Sequence, residues 1–308
     1  MRSSVVLPFP GNEACAASLA RALGADLGAL ALRAFPDGET LATVTAPCAG
    51  RDVVLVATLD RADAKTVPLV LAAGAARDGT AARVVLVAPY IAYLRQDVAF
   101  APGQGVSARH YARLVSAHFD GLVTVDPHLH RLRSLDDVFT IPSRAVRSAP
   151  ALAAWISAHV DRPVVVGPDA ESEQWVADVA TRAACPHVVL MKTRRGDRDV
   201  SVSPAGLDPA ERRTPVLVDD IVSTGHTLVE AVRGLIAEGH AAPVCLAVHG
   251  VFADDAVAAL RAAGAARVVT TNTIPNAVAE IDVTPLVAAA VADLLAEGGA
   301  RAEHRAGR

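Results

Sequence analysis

The segment VLVDDIVSTGHTL, residues 216–228, carries the residue types and spacing best suited to chemistry in this 308-residue chain. Its apolar start reads as a buried strand that delivers Asp219 and Asp220 to its carboxyl end, where open α/β sheets bind ligands. Ser223, Thr224, Gly225, His226 and Thr227 then open a helix. Backbone N–H groups, hydroxyls and a glycine that lets the chain approach closely suit a phosphate dianion. Two adjacent carboxylates at a dry strand end repel each other, so they are expected to face hydroxyls, a cation or both. Together these residues point to a sugar phosphate, its diol on the acids and its phosphate on the turn. The alternative is an ordinary N-cap in which Ser or Thr satisfies the first helical amides; the tandem Asp favours the ligand.

Other segments hold weaker candidates. Phe35, Asp37 and Glu39 lie in FPDGE, preceded by Arg33; their bland alternatives are a core Phe and the acids of a common turn. Arg95 and Gln96 lie in PYIAYLRQD, where a guanidinium fork suits phosphates but equally a helix-capping ion pair. In DPHLH, His128 and His130 of an extended chain point the same way. Without a third ligand at suitable spacing zinc is not indicated, and a hydrogen-bonded structural histidine is the rival reading. Asp169 ends the apolar run VVVGPD. Lys192 and Arg194 lie in MKTRR, and Lys192 is one of only two lysines, with Lys65, among 29 basic residues. A compact ammonium on a flexible stem can follow charge on a moving phosphoryl group; a solvated basic stretch is the default alternative. Gly103-Gln104-Gly105 imitates a dinucleotide fingerprint but follows a polar loop instead of a strand, and no GxxxxGK[ST] is present.

These side chains need a scaffold, and the sequence supplies it as short β-branched runs alternating with alanine-rich stretches. The runs fall at 5–8, 53–57, 83–89, 121–126, 163–169, 187–191, 214–220, 243–249 and 267–272. Near-continuous apolar strands are buried on both faces, and the intervening segments are long enough for crossover helices, so the fold class is α/β with parallel sheets. FTIPSRAVRSAP, 139–150, interrupts the pattern and sets a boundary near 147, giving domains 1–147 and 148–308. VTVDPH in the first half and VLVDDIVSTGHT in the second hint at a degenerate duplication. Residues 192–213 read as a long loop and possible lid, and the tail from 298 as disordered.

Composition narrows the classes. Hydrophobic residues make up 52%, but 64 of them are alanine, and no uncharged apolar run approaches the roughly 18 residues of a bilayer crossing. The first ten residues are too short an apolar stretch for a secretory signal, so a cytoplasmic protein is expected, with no membrane partner. Net charge is −4 and aromatics are 4%, without the basic footprint of a nucleic-acid binder. Cys15, Cys48, Cys185 and Cys245 lie far apart without ligand spacing and read as small core residues.

VDDIVSTGHT resembles the phosphoribosyl-diphosphate motif of type I phosphoribosyltransferase folds. That motif is shared by enzymes that consume the diphosphate and enzymes that make it. FPDGE with Arg33, PYIAYLRQD, SARHYARLV at 107–115, DPH and GPD occur in the order and separation of ribose-phosphate pyrophosphokinases, so the resemblance covers nearly the whole chain. It implies two tandem phosphoribosyltransferase-like (type I) domains, each with a mainly parallel sheet flanked by helices. It implies transfer of the diphosphoryl group of Mg-ATP to the anomeric hydroxyl of ribose 5-phosphate, with Mg²⁺ as cofactor. Phe35 would stack on adenine, with Asp37 and Glu39 reaching the nucleotide from a neighbouring subunit of a homo-oligomer whose ATP site is shared. Arg95 and Gln96 would hold the triphosphate, His128 the phosphates or metal with Asp126 nearby, and Asp169 Mg²⁺ or the sugar phosphate. Lys192 and Arg194 match the catalytic flexible loop. Asp219 and Asp220 would fix the diol and residues 223–227 the phosphate. Where the family has glycines after the aspartate, this chain has Ala170, Glu171, Ser172 and Glu173, and Glu171 is a candidate outer-shell metal ligand. A phosphoribosyltransferase acting on a nucleobase, or a non-catalytic synthetase-associated regulator, are the alternatives.

Overall fold

The computed structural model describes residues 2–129, 131–169, 172–194, 200–203, 208–253 and 255–306, with side chains except at 191–194, 200–203 and 298–306. The chain divides into two compact units, residues 1–147 with 284–308, and 148–283.

The first unit runs β1 (Ser4–Pro8), α1 (Glu13–Leu23), β2 (Asp26–Leu27), β3 (Ala29–Ala34), β4 (Thr40–Thr45), β5 (Asp52–Val56), α2 (Ala62–Asp78), β6 (Arg83–Ala88), α3 (Ser107–His118), β7 (Gly121–Val125) and β8 (Ser143–Val146). Its main sheet has the order β2-β1-β5-β6-β7-β8, every pair parallel. The Val- and Leu-rich runs form the central strands because each is covered on both faces: β5 and β7 are buried at every position. Leu7, Leu55, Leu86 and Leu122 on one face join residues of α2 and α3 in the unit's core. β3 and β4 form a separate antiparallel hairpin whose side chains are half-exposed or exposed throughout.

The second unit runs α4 (Ala149–His159), β9 (Pro163–Gly167), α5 (Glu173–Arg182), β10 (His187–Val189), β11 (Met191–Arg194), β12 (Val200–Ser203), β13 (Thr214–Val222), α6 (His226–Ala237), β14 (Val244–Gly250), α7 (Ala256–Ala262), β15 (Arg267–Thr271) and β16 (Ala279–Ile281). Its sheet, β10-β9-β13-β14-β15-β16, is again parallel throughout. The chain then forms α8 (Thr284–Ala306), which packs against α1, β7 and β8 of the first unit. No helix among the described residues is long and apolar enough to cross a membrane.

Five sequence expectations change here. Residues 139–150 are no simple interruption, because β8 lies in them as the edge strand beside β7. The described parts of 192–213 include strand residues of an antiparallel pair, β11 with β12. The terminal helix belongs with the first unit, whereas the sequence boundary counted it with the second, and its backbone stays helical to Ala306 where a disordered tail was expected. Finally, matched strand orders place β5 opposite β13 and β7 opposite β15, so VTVDPH is not the counterpart of VLVDDIVSTGHT. The turn after β5, Ala57 to Arg61, is the counterpart instead.

Near the amino ends of β5 and β6 the Arg83 guanidinium grips both oxygens of the Asp52 carboxylate, each bond 2.7 Å, and reaches the Leu295 carbonyl of α8 at 2.9 Å. Asp52 is only 2% exposed, and breaking a buried pair leaves the other charge unmatched, at a cost of about 3 kcal/mol. Asp52→Ala should therefore lower the stability of the first unit by about that amount in urea unfolding; a loss well under 1 kcal/mol would mean the pair does not hold α8 in place.

Candidate active site

In the second unit, β13 lies between β9 and β14, and its second half carries Asp219 and Asp220, both half-buried. The Asp220 N–H donates to Asp219 Oδ1 at 2.9 Å. Burial, the charge and side-chain hydrogen bond of Asp220, and the charge of Asp169 together push the Asp219 carboxyl up to about 7. Desolvation is the largest of these causes, and a like-charged neighbour adds to it. Asp169 follows β9, the neighbouring strand, and its carboxylate accepts from the Ser172 N–H at 3.2 Å while its carbonyl accepts from the Ser172 hydroxyl at 2.6 Å. Three carboxylates thus share the carboxyl ends of two adjacent parallel strands.

The turn that follows does not form the ordinary side-chain N-cap offered as the alternative for 223–227. Gly225 is the N-cap of α6 with φ 73°, a left-handed conformation that glycine adopts without strain, and no side chain caps the helix. Ser223 and Thr224 are therefore not spent as ordinary caps, and the first amides of α6 stay available at the positive end of a 12-residue helix. Thr224 and His226 are exposed, Ser223, Gly225 and Thr227 half-buried.

The equivalent turn of the first unit is closed by its own chain. Its N-cap, Arg61, has φ 52° but carries a side chain, the tandem acids are replaced by Ala57 and Thr58, and the Lys65 ammonium donates to the Thr58 carbonyl at 2.9 Å and to Asp60. Of these two turns, the one in the second unit has tandem acids before it and no side-chain cap.

The first unit presents its own candidates on three loops. Phe35 lies at the tip of the β3–β4 hairpin, 36% exposed, with the Arg33 guanidinium 5.2 Å from its ring centroid, so it is no core residue. Asp37 accepts from the Glu39 N–H at 3.2 Å, the Phe35 N–H donates to the Glu39 carbonyl at 2.8 Å, and Gly38 has φ 92°; part of this acidic pair is thus used in holding the turn. Arg95 is exposed and Gln96 half-buried on the loop after β6; the Ser107 hydroxyl at the start of α3 donates to Gln96 Oε1. Tyr93 has φ 67° in that loop, and its ring packs tilted against that of Tyr111, centroids 4.6 Å apart. His128 is half-buried on the loop after β7, which starts at Asp126 with φ 32°.

The sequence reading passed over Asp97 and Arg131. Asp97 Oδ2 accepts from the Arg131 N–H and Oδ1 from its guanidinium, each at 3.0 Å, with the carboxylate fully buried and Arg131 56% exposed. Burial works to raise the Asp97 pKa, and the two hydrogen bonds and the charge of Arg131 outweigh it, so the net shift is downward. The only sequence signal was an acid inside PYIAYLRQD and a basic residue in a later loop.

Lys192 and Arg194 stand on β11, paired in register with Val202 and Val200 of β12; their side chains lie outside the described residues, as do His130, Ala170 and Glu171. Among the described residues no three His, Cys, Asp or Glu side chains form a metal cage. The donor set at β9 and β13 is nevertheless the hard-oxygen kind that suits Mg²⁺, which takes one or two carboxylates and completes its shell with water and substrate phosphates.

Comparison with known proteins agrees with this layout. The family model for the N-terminal domain of ribose phosphate pyrophosphokinase matches residues 5–118, and that for the phosphoribosyl transferase domain matches 138–287. The chain is 37% identical over 216 residues to the ribose-phosphate pyrophosphokinase of Methanopyrus kandleri, covering 70% of this chain and 73% of that one. It is also 37% identical over 217 residues to the enzyme of that name from Halobacterium salinarum, covering 70% and 74%. The crystal structure of phosphoribosylpyrophosphate synthetase from Mycobacterium smegmatis shares the fold, with a TM-score of 0.81 over 96% of this chain and all of that one at 24% identity. Family-model matches over residues 5–118 and 138–287, and 37% identity over about 70% of each chain to curated enzymes of that name, together with parallel sheets in both units, place the chain in the ribose-phosphate pyrophosphokinase family.

Proposed function

We propose that this protein transfers the β,γ-diphosphoryl group of Mg-ATP to the anomeric hydroxyl of ribose 5-phosphate, giving phosphoribosyl diphosphate and AMP. The observation that carries the proposal is the uncapped left-handed turn at Gly225 directly after Asp219 and Asp220, in a chain of this family. The 5-phosphate would sit on the amides and hydroxyls of Ser223 to Thr227, and the 2- and 3-hydroxyls would donate to Asp219 and Asp220. Asp169 with these acids would hold the cation, whose chemistry there is to neutralise phosphate charge. In the first unit Phe35 would stack on the base, Arg95 and Gln96 would hold the triphosphate, and His128 would contact its phosphates. Asp37 and Glu39 would serve the nucleotide of a neighbouring protomer in a homo-oligomer.

The anomeric oxygen attacks the β-phosphorus, the bond from that phosphorus to the α,β-bridging oxygen breaks, AMP leaves with the electron pair, and the hydroxyl proton is released. No covalent intermediate on the protein is required. Catalysis then consists of aligning two bound substrates and stabilising charge on the transferring group, for which Lys192 and Arg194 supply cations.

Three outcomes are expected. Purified protein with ATP, Mg²⁺ and a panel of pentose phosphates should release AMP with ribose 5-phosphate; no AMP with any of them, or consumption of phosphoribosyl diphosphate with a nucleobase, would overturn the assignment. Lys192→Ala should lower kcat by about 100-fold or more while KM for both substrates moves only a few-fold; an unchanged kcat removes Lys192 from the chemistry. The folded pKa of Asp219 is raised to about 7, so the sugar must displace a proton below that pH. Affinity for ribose 5-phosphate should therefore rise by up to about tenfold per pH unit toward 7 and level off above it. Asp220→Asn removes the neighbouring charge and should move that inflection down; an inflection unmoved by the substitution would assign it to the phosphate of the sugar.

A further inference from the structure

The loops that carry Arg95, Gln96 and His128 leave the carboxyl ends of β6 and β7, which are adjacent parallel strands paired up to Ala88 and Thr124. Each loop is seated by apolar and backbone contacts. Leu94 is 1% exposed in the core, Leu129 packs against that core, and the Val125 N–H donates to the Pro89 carbonyl at 3.2 Å. Beyond these roots Asp97 and Arg131 join one loop to the other through a side chain. Asp97 follows Gln96 directly and Arg131 lies three residues after His128. The other end of the first loop is fixed as well, since the Ala108 N–H donates to the Gln96 carbonyl at 3.1 Å and the Ser107 hydroxyl to the Gln96 side chain.

We propose that Asp97 is a positioning residue for the nucleotide: by accepting from both the backbone and the guanidinium of Arg131 it sets the separation of Arg95 and Gln96 from His128. The proposal rests on the nucleotide reading above and adds a residue to it that touches no substrate. A buried carboxylate with both oxygens engaged admits one arrangement of the two loops, whereas an exposed ion pair would tolerate many. The strained backbone of Tyr93, φ 67°, and of Asp126, φ 32°, shows that both loops are held away from their relaxed conformations by their surroundings. Arg131 is mostly exposed, so its contribution beyond the backbone bond is the second, weaker half of the clamp.

The test is calorimetric binding of the Mg²⁺ complex of α,β-methylene-ATP, whose α,β bond cannot be cleaved, beside binding of ribose 5-phosphate to the same preparation. Asp97→Ala should weaken nucleotide binding and kcat/KM for ATP by about 100-fold, the scale of a 1 Å misplacement of binding groups, with ribose 5-phosphate affinity unchanged. Asp97→Asn, which keeps one acceptor, should fall between that variant and the wild type. Arg131→Ala, at an exposed position that tolerates truncation, should cost about three- to tenfold in nucleotide affinity and nothing in sugar affinity; it carries the test if Asp97→Ala does not fold. Nucleotide affinity unchanged in Asp97→Asn and Arg131→Ala, or equal losses for both ligands, would overturn the clamp. Wild-type protein that binds no nucleotide analogue would overturn the clamp together with the nucleotide site, an outcome distinct from a clamp that fails alone.

Discussion

Two carboxylates forced together at the dry end of a parallel strand are the constraint on which the site depends. β13 brings Asp219 out of a core of Val216, Leu217 and Val218, where water cannot fully solvate it, and places Asp220 and the charge of Asp169 beside it. The result is a proton held to about 7 in a place where a polyol or a divalent cation can replace it. Stability alone would favour an apolar pair at these positions. The first unit carries no charge there, with Ala57 and Thr58 in the corresponding stretch and Lys65 closing the turn.

The same parallel topology serves two different tasks because the loops at the carboxyl ends differ. In the second unit the chain after β13 keeps a glycine at φ 73° and leaves the amides of α6 uncapped. In the first, the loops after β6 and β7 are long; the partly buried Asp97–Arg131 bonds tie them to each other, and Gln96 with Ser107 ties the first of them to α3. Scaffold and chemistry are therefore separable: the strands supply rigid ends, and the turn residues determine what each end holds.

Much of this was legible in the residues. All nine apolar runs are strands, because a strand covered on both faces has to be apolar at consecutive positions. The β3–β4 hairpin was missed because one of its faces is exposed and the other, with Leu30, Leu32, Ala42 and Val44, only half-buried, and edge strands as short as β2, β8 and β16 leave too brief a pattern. A helix's apolar face does not say which unit it will cover, so α8 was assigned to the neighbouring stretch of sequence. The candidate turn could be picked out because its residues, Ser223 to Thr227, follow Asp219 and Asp220 closely in the chain. The Asp97–Arg131 clamp was not, because its partners are 34 residues apart and meet only after β6 and β7 have paired.

The most direct measurement is the carboxyl ¹³C chemical shift of Asp219, followed by NMR against pH in the free protein and with Mg²⁺ and ribose 5-phosphate bound. A carboxyl that titrates near 7 when free and well below that when the sugar and cation are present is the predicted result. Titration in the ordinary range near 4 in the free protein, or no change on adding the ligands, would contradict the account.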